Sequence, residues 1–261
     1  MDNRPVGMFD SGVGGLSVLR AFQSLAPSER VLYFADTAWF PYGPRPAAEV
    51  RKRCFGITQR LLASDVKMIV VACNTASAAA ISDLRETFPV PFVGMVPGVK
   101  PAAVQSRTGR VVILATEGTL DGDLYGRVVE DFGRGTVIDA VPGAGLAELV
   151  EAGRAGSQEA VAAVGGILAR SIAAGADTVV LGCTHYHFLA GDIQRAFPEV
   201  TIVDTSGAVA RRAVQVLDDG GMRADPDNPG QLDLIVSGDA AMFRQAMQNL
   251  GFPATPQEAT A

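Results

Sequence analysis

The sequence is poor in the residues that most often carry chemistry. Its 261 residues include three cysteines, two histidines and one tryptophan. The cysteines, at 54, 73 and 183, form no CxxC pair, which argues against a disulfide scaffold and a thioredoxin-type motif. Lysine is scarce as well, with only Lys52, Lys67 and Lys100. Lys52 lies in an RKR run and Lys67 close to Asp65, so both read as solvated. Lys100 is then the one candidate for a Schiff base with pyridoxal phosphate. Basic charge is outweighed, giving a net charge of −6, so no nucleic-acid or anionic-membrane partner is expected. The longest apolar stretches are broken by Asn74, Arg170 or His185, well short of a membrane span. The opening "MDNRPVGMFD" has no apolar core of a signal peptide. The expectation is a reduced, soluble, cytoplasmic protein.

What is present is regular alternation. Short β-branched runs near 6–9, 31–35, 67–72, 92–95, 110–115, 136–140, 177–182, 200–203 and 232–236 read as strands. Helical patterns fall between them, around 14–25, 46–63, 75–87, 119–132, 157–174, 187–196, 206–218 and 239–250. Such alternation predicts an α/β fold with mostly parallel sheets. "GMRADPDNPG" (221–230) reads as a surface loop and "TPQEATA" (255–261) as a frayed tail.

The chain also repeats itself. "MIVVACNTASAAA" (68–80) is echoed by "TVVLGCTHYHFLA" (178–190), each a strand running through a small residue into Cys and then Thr. Upstream, "VGMFDSGVGG" ends a strand at Asp10 and "VVILATEGTLDG" ends one at Thr116, at similar distances before Cys73 and Cys183. Two similar, pseudo-symmetric α/β domains facing each other are the economical reading.

Open α/β sheets bind ligands outside the carboxyl ends of their strands, where Cys73 and Cys183 both fall. A thiol just before a helix feels the positive end of the dipole, which favours thiolate. Cys54, inside "VRKRCFGITQRLL", has no such context and reads as helix packing. A phosphatase loop would need Arg six residues on, where Ala79 and Leu189 stand. A zinc site recruiting Cys73, Cys183, His185 and His187 has weak spacing. A cysteine hydrolase leaves the second thiol unexplained. Two like acid/base groups on opposite faces of one carbon explain the duplication directly: one removes a proton, the other delivers one, and the centre inverts.

The surroundings suit a small charged substrate. "DSGVGG" (10–15) fails the dinucleotide fingerprint because Ser17 stands where the third glycine belongs. The loop still offers backbone N–H groups at a helix start, suited to a carboxylate. Asp10 and Ser11 could bind an ammonium group or orient Cys73. Tyr42 and Gly43, in "FPYGPRP", could line a pocket. Asn74, Thr75, Thr184 and His185 flank the thiols and could bind carboxylates while capping their helices.

In order along the chain, "FDSGVGGLSVL", "DTAWFPYG", "ACNTASA" and "LGCTHYHFL" resemble the motifs of the glutamate racemases, a cofactor-independent branch of the aspartate/glutamate racemase superfamily. "VSGDAAMFRQAMQNLGF" is similar to that family's C-terminal stretch. The resemblance implies interconversion of L- and D-glutamate, with D-glutamate supplied for peptidoglycan, no cofactor and no metal. It implies catalytic Cys73 and Cys183, with Asp10 and His185 beside them in the catalytic set. Asp10, Ser11, Tyr42, Gly43, Asn74, Thr75, Thr184 and His185 would bind substrate. Glu151 matches a glutamate that assists the second cysteine in some members, and Thr116 is a further auxiliary candidate. Also implied are a discontinuous first domain (1–96 plus 205–261) around a second (97–204), with the active site at the domain interface, and a homodimer. The family commonly has Pro where His187 stands. A sibling racemase acting on aspartate or another carboxylated amino acid is the near alternative. A pyridoxal-phosphate racemase and a regulatory binding protein of the same fold are the distant ones.

Overall fold

The structure is a computed structural model that describes residues 1–252 and 257–258. The chain opens with β1 (Val6–Asp10), α1 (Leu16–Leu25), β2 (Arg30–Ala35), α2 (Ala47–Ala63), β3 (Met68–Val71), α3 (Asn74–Thr87) and β4 (Phe92–Val93). Next come α4 (Val99–Gln105), β5 (Arg110–Ala115), α5 (Glu117–Leu120), α6 (Asp123–Phe132) and β6 (Val137–Pro142). α7 (Leu146–Glu151), α8 (Gln158–Ala173), β7 (Thr178–Gly182), α9 (Ala190–Ala196) and β8 (Thr201–Val203) follow. α10 (Ser206–Asp219), β9 (Gln231–Val236), α11 (Ala240–Asn249) and β10 (Gln257–Glu258) come last.

Two sheets result, ordered β10-β9-β2-β1-β3-β4 and β6-β5-β7-β8. Every strand pair in both is parallel. The run β2-β1-β3-β4 has the same order as β6-β5-β7-β8, so the echo in sequence is an echo in topology. The first sheet draws strands from both ends of the chain, because β9 pairs with β2 from Arg30↔Gln231 to Ala35↔Val236.

Side-chain alternation supplies the layers. Along β3, Met68 and Val70 enter one apolar cluster while Ile69 and Val71 enter another. Along β7, Val179 and Leu181 point one way and Val180 the other. Strands buried on both faces read as continuous apolar runs, which is why these segments stand out in the sequence. One cluster runs without a break from Met8 and Leu19 to Leu114, Leu146, Leu181 and Tyr186. The two halves therefore share a core, and their mutual orientation is held by apolar packing.

Some expectations need correction. α4 and α7, of seven and six residues, are too short to show a helical period. The helix expected at 187–196 begins as a 3-10 turn, Thr184–Leu189, and becomes α-helical only at Ala190. Lys67 is not solvated: it is 1% exposed and its Nζ lies 2.6 Å from Glu29 Oε2. Asp65, its sequence neighbour, instead lies at the surface at φ 55° and faces Arg4. The frayed tail expected over 255–261 falls mostly outside the described residues, although Gln257–Glu258 pairs with Asp233 and Leu234 of β9. Among the described residues no helix is long and apolar enough to cross a membrane.

Candidate active site

Both candidate thiols stand at the carboxyl ends of equivalent strands. Cys73 follows β3 and caps the N-terminus of α3; Cys183 follows β7 and precedes the 3-10 turn. β3 and β7 lie beside the point where strand order reverses in their sheets, the usual ligand crevice of open α/β sheets. Both thiols are buried. Cys54 is buried too, but on α2 among Val50, Ile57 and Leu61, and burial pushes its thiol far above the ordinary range.

Each thiol has its own acid/base neighbour. Asp10, at the end of β1, lies close enough to Cys73 for each to shift the other's titration. Its Oδ2 accepts from Gly15 N–H at 2.6 Å and from the Thr184 hydroxyl at 3.4 Å. On the other side, His185 Nδ1 lies 3.9 Å from Cys183 Sγ, and Nε2 lies 2.7 Å from Glu151 Oε1. That same Glu151 oxygen accepts from Val13 N–H at 2.7 Å. The glycine loop's N–H groups at Val13 and Gly15 therefore serve carboxylates of the protein itself, where the sequence suggested a ligand. The anion-binding helix start is present, but Asp10 and Glu151 fill it.

Two glycines make this approach feasible. A Cβ at position 12 would sit 1.8 Å from Glu151 Oε1, and one at position 14 would sit 2.4 Å from His185 Nδ1. A side chain at position 12 would displace the Glu151 carboxylate, and one at position 14 would press on the His185 ring and the Thr184 hydroxyl.

The electrostatics follow from burial and these contacts. Burial raises the Asp10 carboxyl above the usual carboxylate range, opposed chiefly by the His185 charge. Burial works against a charged His185, yet its hydrogen bonds to Cys183 and Glu151 and the negative charge of Glu151 and Asp10 prevail. The imidazole pKa is pushed well above its ordinary value. An imidazolium donates from both nitrogens, to Cys183 Sγ and Glu151 Oε1. The Cys73 thiol is also pushed well above its ordinary value, by burial first and by the Asp10 charge second. This reverses the helix-start expectation, because desolvation outweighs the favourable pull of the nearby Ala76 N–H.

Most of the remaining candidates are buried as well. Ser11 is buried, with Oγ 3.5 Å from Asp10 Oδ1. Asn74 is buried with neither amide atom hydrogen-bonded, an uncommon state that calls for a ligand or water to complete it. Thr75 Oγ1 lies 2.8 Å from Thr116 Oγ1, which lies 2.9 Å from Thr119 Oγ1. This trio bridges α3 to the start of α5, and sequence reasoning missed Thr119. Its signal was the spacing of Thr116 and Thr119, cap and third residue of one helical turn. Tyr42 is buried with its hydroxyl on Asp36 Oδ2 at 2.5 Å, and Gly43 packs on Thr116. Phe40, also missed, sets its ring 5.4 Å from the His185 ring. A cavity of about 140 Å³ opens among Pro41, Gly43, Thr116, Gly143, Glu148 and Tyr186. That is well under the roughly 300–1,000 Å³ of drug-sized pockets.

His187 does not join Cys183 and His185. Its Nδ1 lies 3.0 Å from Ser17 Oγ on α1 and 3.6 Å from Asp204 Oδ1. Lys100 is exposed, with Nζ 5.3 Å over the Phe132 ring, and is not among the groups around either thiol.

Known proteins resemble this chain in sequence and in fold. The glutamate racemase of Herpetosiphon aurantiacus is 44% identical over 253 residues, covering 96% of this chain and 99% of that protein. The solved glutamate racemase of Thermus thermophilus, in complex with β-chloro-D-alanine, matches with a TM-score of 0.84 at 35% identity, over 100% of this chain and 98% of that one. A glutamate racemase isoform from Bacillus anthracis matches with a TM-score of 0.89 at 28% identity, again over 100% and 98%. The Asp/Glu/Hydantoin racemase family model matches residues 16–213. With strands in like order, thiols at like strand ends and relatives matching along nearly the whole length, the chain belongs to the Asp/Glu/Hydantoin racemase family, whose members are enzymes.

Proposed function

We propose that this enzyme interconverts L- and D-glutamate without a cofactor, by a two-base exchange between Cys73 and Cys183, and so supplies D-glutamate for peptidoglycan. The observation that carries the reading is the placement of one buried thiol at the end of each of two equivalent strands, β3 and β7. The relatives named glutamate racemase support the substrate.

In the reaction one sulfur, as thiolate, takes the Cα proton, and the electron pair of that C–H bond stays on carbon. The other sulfur, as thiol, gives its proton to the opposite face and becomes the thiolate. The protein ends with its proton moved from one sulfur to the other, ready for the product enantiomer. Burial favours the thiol form of Cys73, and a substrate ammonium group beside it favours the thiolate. Asn74 and the hydroxyls of Thr75, Thr116 and Thr119 offer donors for carboxylates.

The test is chiral chromatography of a panel of amino acids with purified protein, no added cofactor, and EDTA present. Glutamate is expected to racemise from either enantiomer far faster than any other acid. Aspartate racemised in preference to glutamate, or activity that requires added pyridoxal phosphate or zinc, contradicts the reading.

The pH dependence has a definite form. Only the singly protonated thiol pair is active, so kcat/KM follows a bell whose limbs belong to the pair. Cys73 is pushed upward by burial and Asp10, so the falling limb is expected on the alkaline side of the ordinary thiol range. L- and D-glutamate are of equal energy, so both substrates must give the same bell. Rates measured from about pH 6 to 10 check this, and a flat profile contradicts thiol acid/base work.

A further inference from the structure

The C-terminal "VSGD" stretch lies outside the thiol site, yet its serine reaches into the loop that covers it. Asp36, just after β2, is fully buried, and its carboxylate takes four hydrogen bonds. Arg53 of α2 donates to both oxygens, at 2.8 and 2.5 Å; Tyr42 OH donates at 2.5 Å and Ser237 Oγ at 2.7 Å. Its backbone N–H meanwhile bonds Asp10 O at 2.9 Å. Ser237, just after β9, also accepts from Ala38 N–H at 3.0 Å, and Gly238 N–H bonds Thr37 Oγ1 at 3.0 Å. A carboxylate so surrounded has little freedom left.

The segment held this way, 37–43, touches both thiol half-sites. Phe40 packs on His185, which bonds Cys183. Gly43 O accepts from Gly118 N–H at 3.1 Å, and Gly43 abuts Thr116, which is bonded to Thr75. Asp36 itself has no hydrogen bond or ion pair to either cysteine. We propose that Asp36 is a positioning residue, and that Ser237 and Tyr42 act through it, fixing the 37–43 loop so that the Thr75–Thr116–Thr119 hydroxyls meet the substrate in register. The assignment rests on the glutamate reading above.

Ser237→Ala and Tyr42→Phe each remove one arm and leave the apolar core intact; Asp36→Asn removes the charge at the centre. For the two single-arm variants, KM for both enantiomers is expected to rise about 3- to 10-fold with kcat within about two-fold, the pattern of lost binding alignment. The double variant is expected to fall well short of the product of the two, because both act through one carboxylate. Ser237→Thr, which restores the hydroxyl, is expected to return KM toward wild type. Wild-type KM in both single-arm variants, fully multiplicative effects, or a loss confined to kcat overturns the assignment while leaving the glutamate reading in place. Wild-type protein that racemises neither enantiomer overturns both. Should Asp36→Asn fail to fold, the single-arm variants and their double still decide the matter.

Discussion

Cys73→Ala and Cys183→Ala are each expected to lower racemisation by at least about 10²–10⁴-fold in both directions, with the fold retained. Each direction needs both sulfurs, one as base and one as acid, so neither variant keeps activity toward one enantiomer alone. The fold should survive because each thiol lies at a strand end, where alanine fits and no hydrogen bond essential to the sheets is lost. The double variant should be little worse than either single one, since groups that act as a unit are strongly non-additive. Initial rates from both enantiomers, with far-ultraviolet circular dichroism to verify folding, make the comparison. Retention of more than about a tenth of wild-type activity by either variant contradicts the two-thiol assignment.

The largest effect on stability is expected at the other end of β3. Lys67 Nζ is 2.6 Å from Glu29 Oε2, and both side chains are buried. Lys67 also donates to Asp2 O at 2.5 Å, while Glu29 Oε1 accepts from Ala224 N–H at 2.9 Å. The pair thus ties the chain start, the β2 entry and the 221–230 loop together. Lys67→Met takes the nearer cation from a buried carboxylate and leaves it only Arg223 Nε at 3.5 Å, which costs up to about 3–5 kcal/mol. The double variant Lys67→Met/Glu29→Gln should recover a good part of that loss, because no uncompensated charge remains. Urea unfolding midpoints of the single and double variants test this; a single-variant loss below about 1 kcal/mol would show that the pair behaves like a surface bridge.

Legibility in the sequence tracks the range of the interactions involved. β1, β3, β5 and β7 were readable because strands buried on both faces leave mostly apolar runs. The two thiol positions were readable because Cys73 and Cys183 repeat one local pattern. α4 and α7 left no period to detect, so the element that delivers Glu151 was missed although the residue itself was singled out. Partner identities were less legible still. Nothing near Lys67 in sequence names Glu29, nothing near Tyr42 shows that its hydroxyl turns to Asp36, and nothing in "DSGVGG" shows that Glu151 would occupy Val13 N–H. The Cys73 environment carries the same lesson. A thiol at a helix start reads as activated, but its complete burial beside Asp10 is a property of the assembled fold, and burial decides the sign.

The most direct test of a two-base exchange is the origin of the hydrogen in the product. A thiol holds one proton, so the sulfur that removes the substrate's hydrogen cannot hand it to the opposite face. With L- or D-glutamate in deuterium oxide, stopped early and analysed by mass spectrometry after chiral separation, nearly every product molecule should carry deuterium at Cα. The recovered substrate should remain largely protiated, and the result should hold from either enantiomer. Early product that retains substantial substrate-derived hydrogen would contradict the two-thiol mechanism, even if both cysteines proved essential.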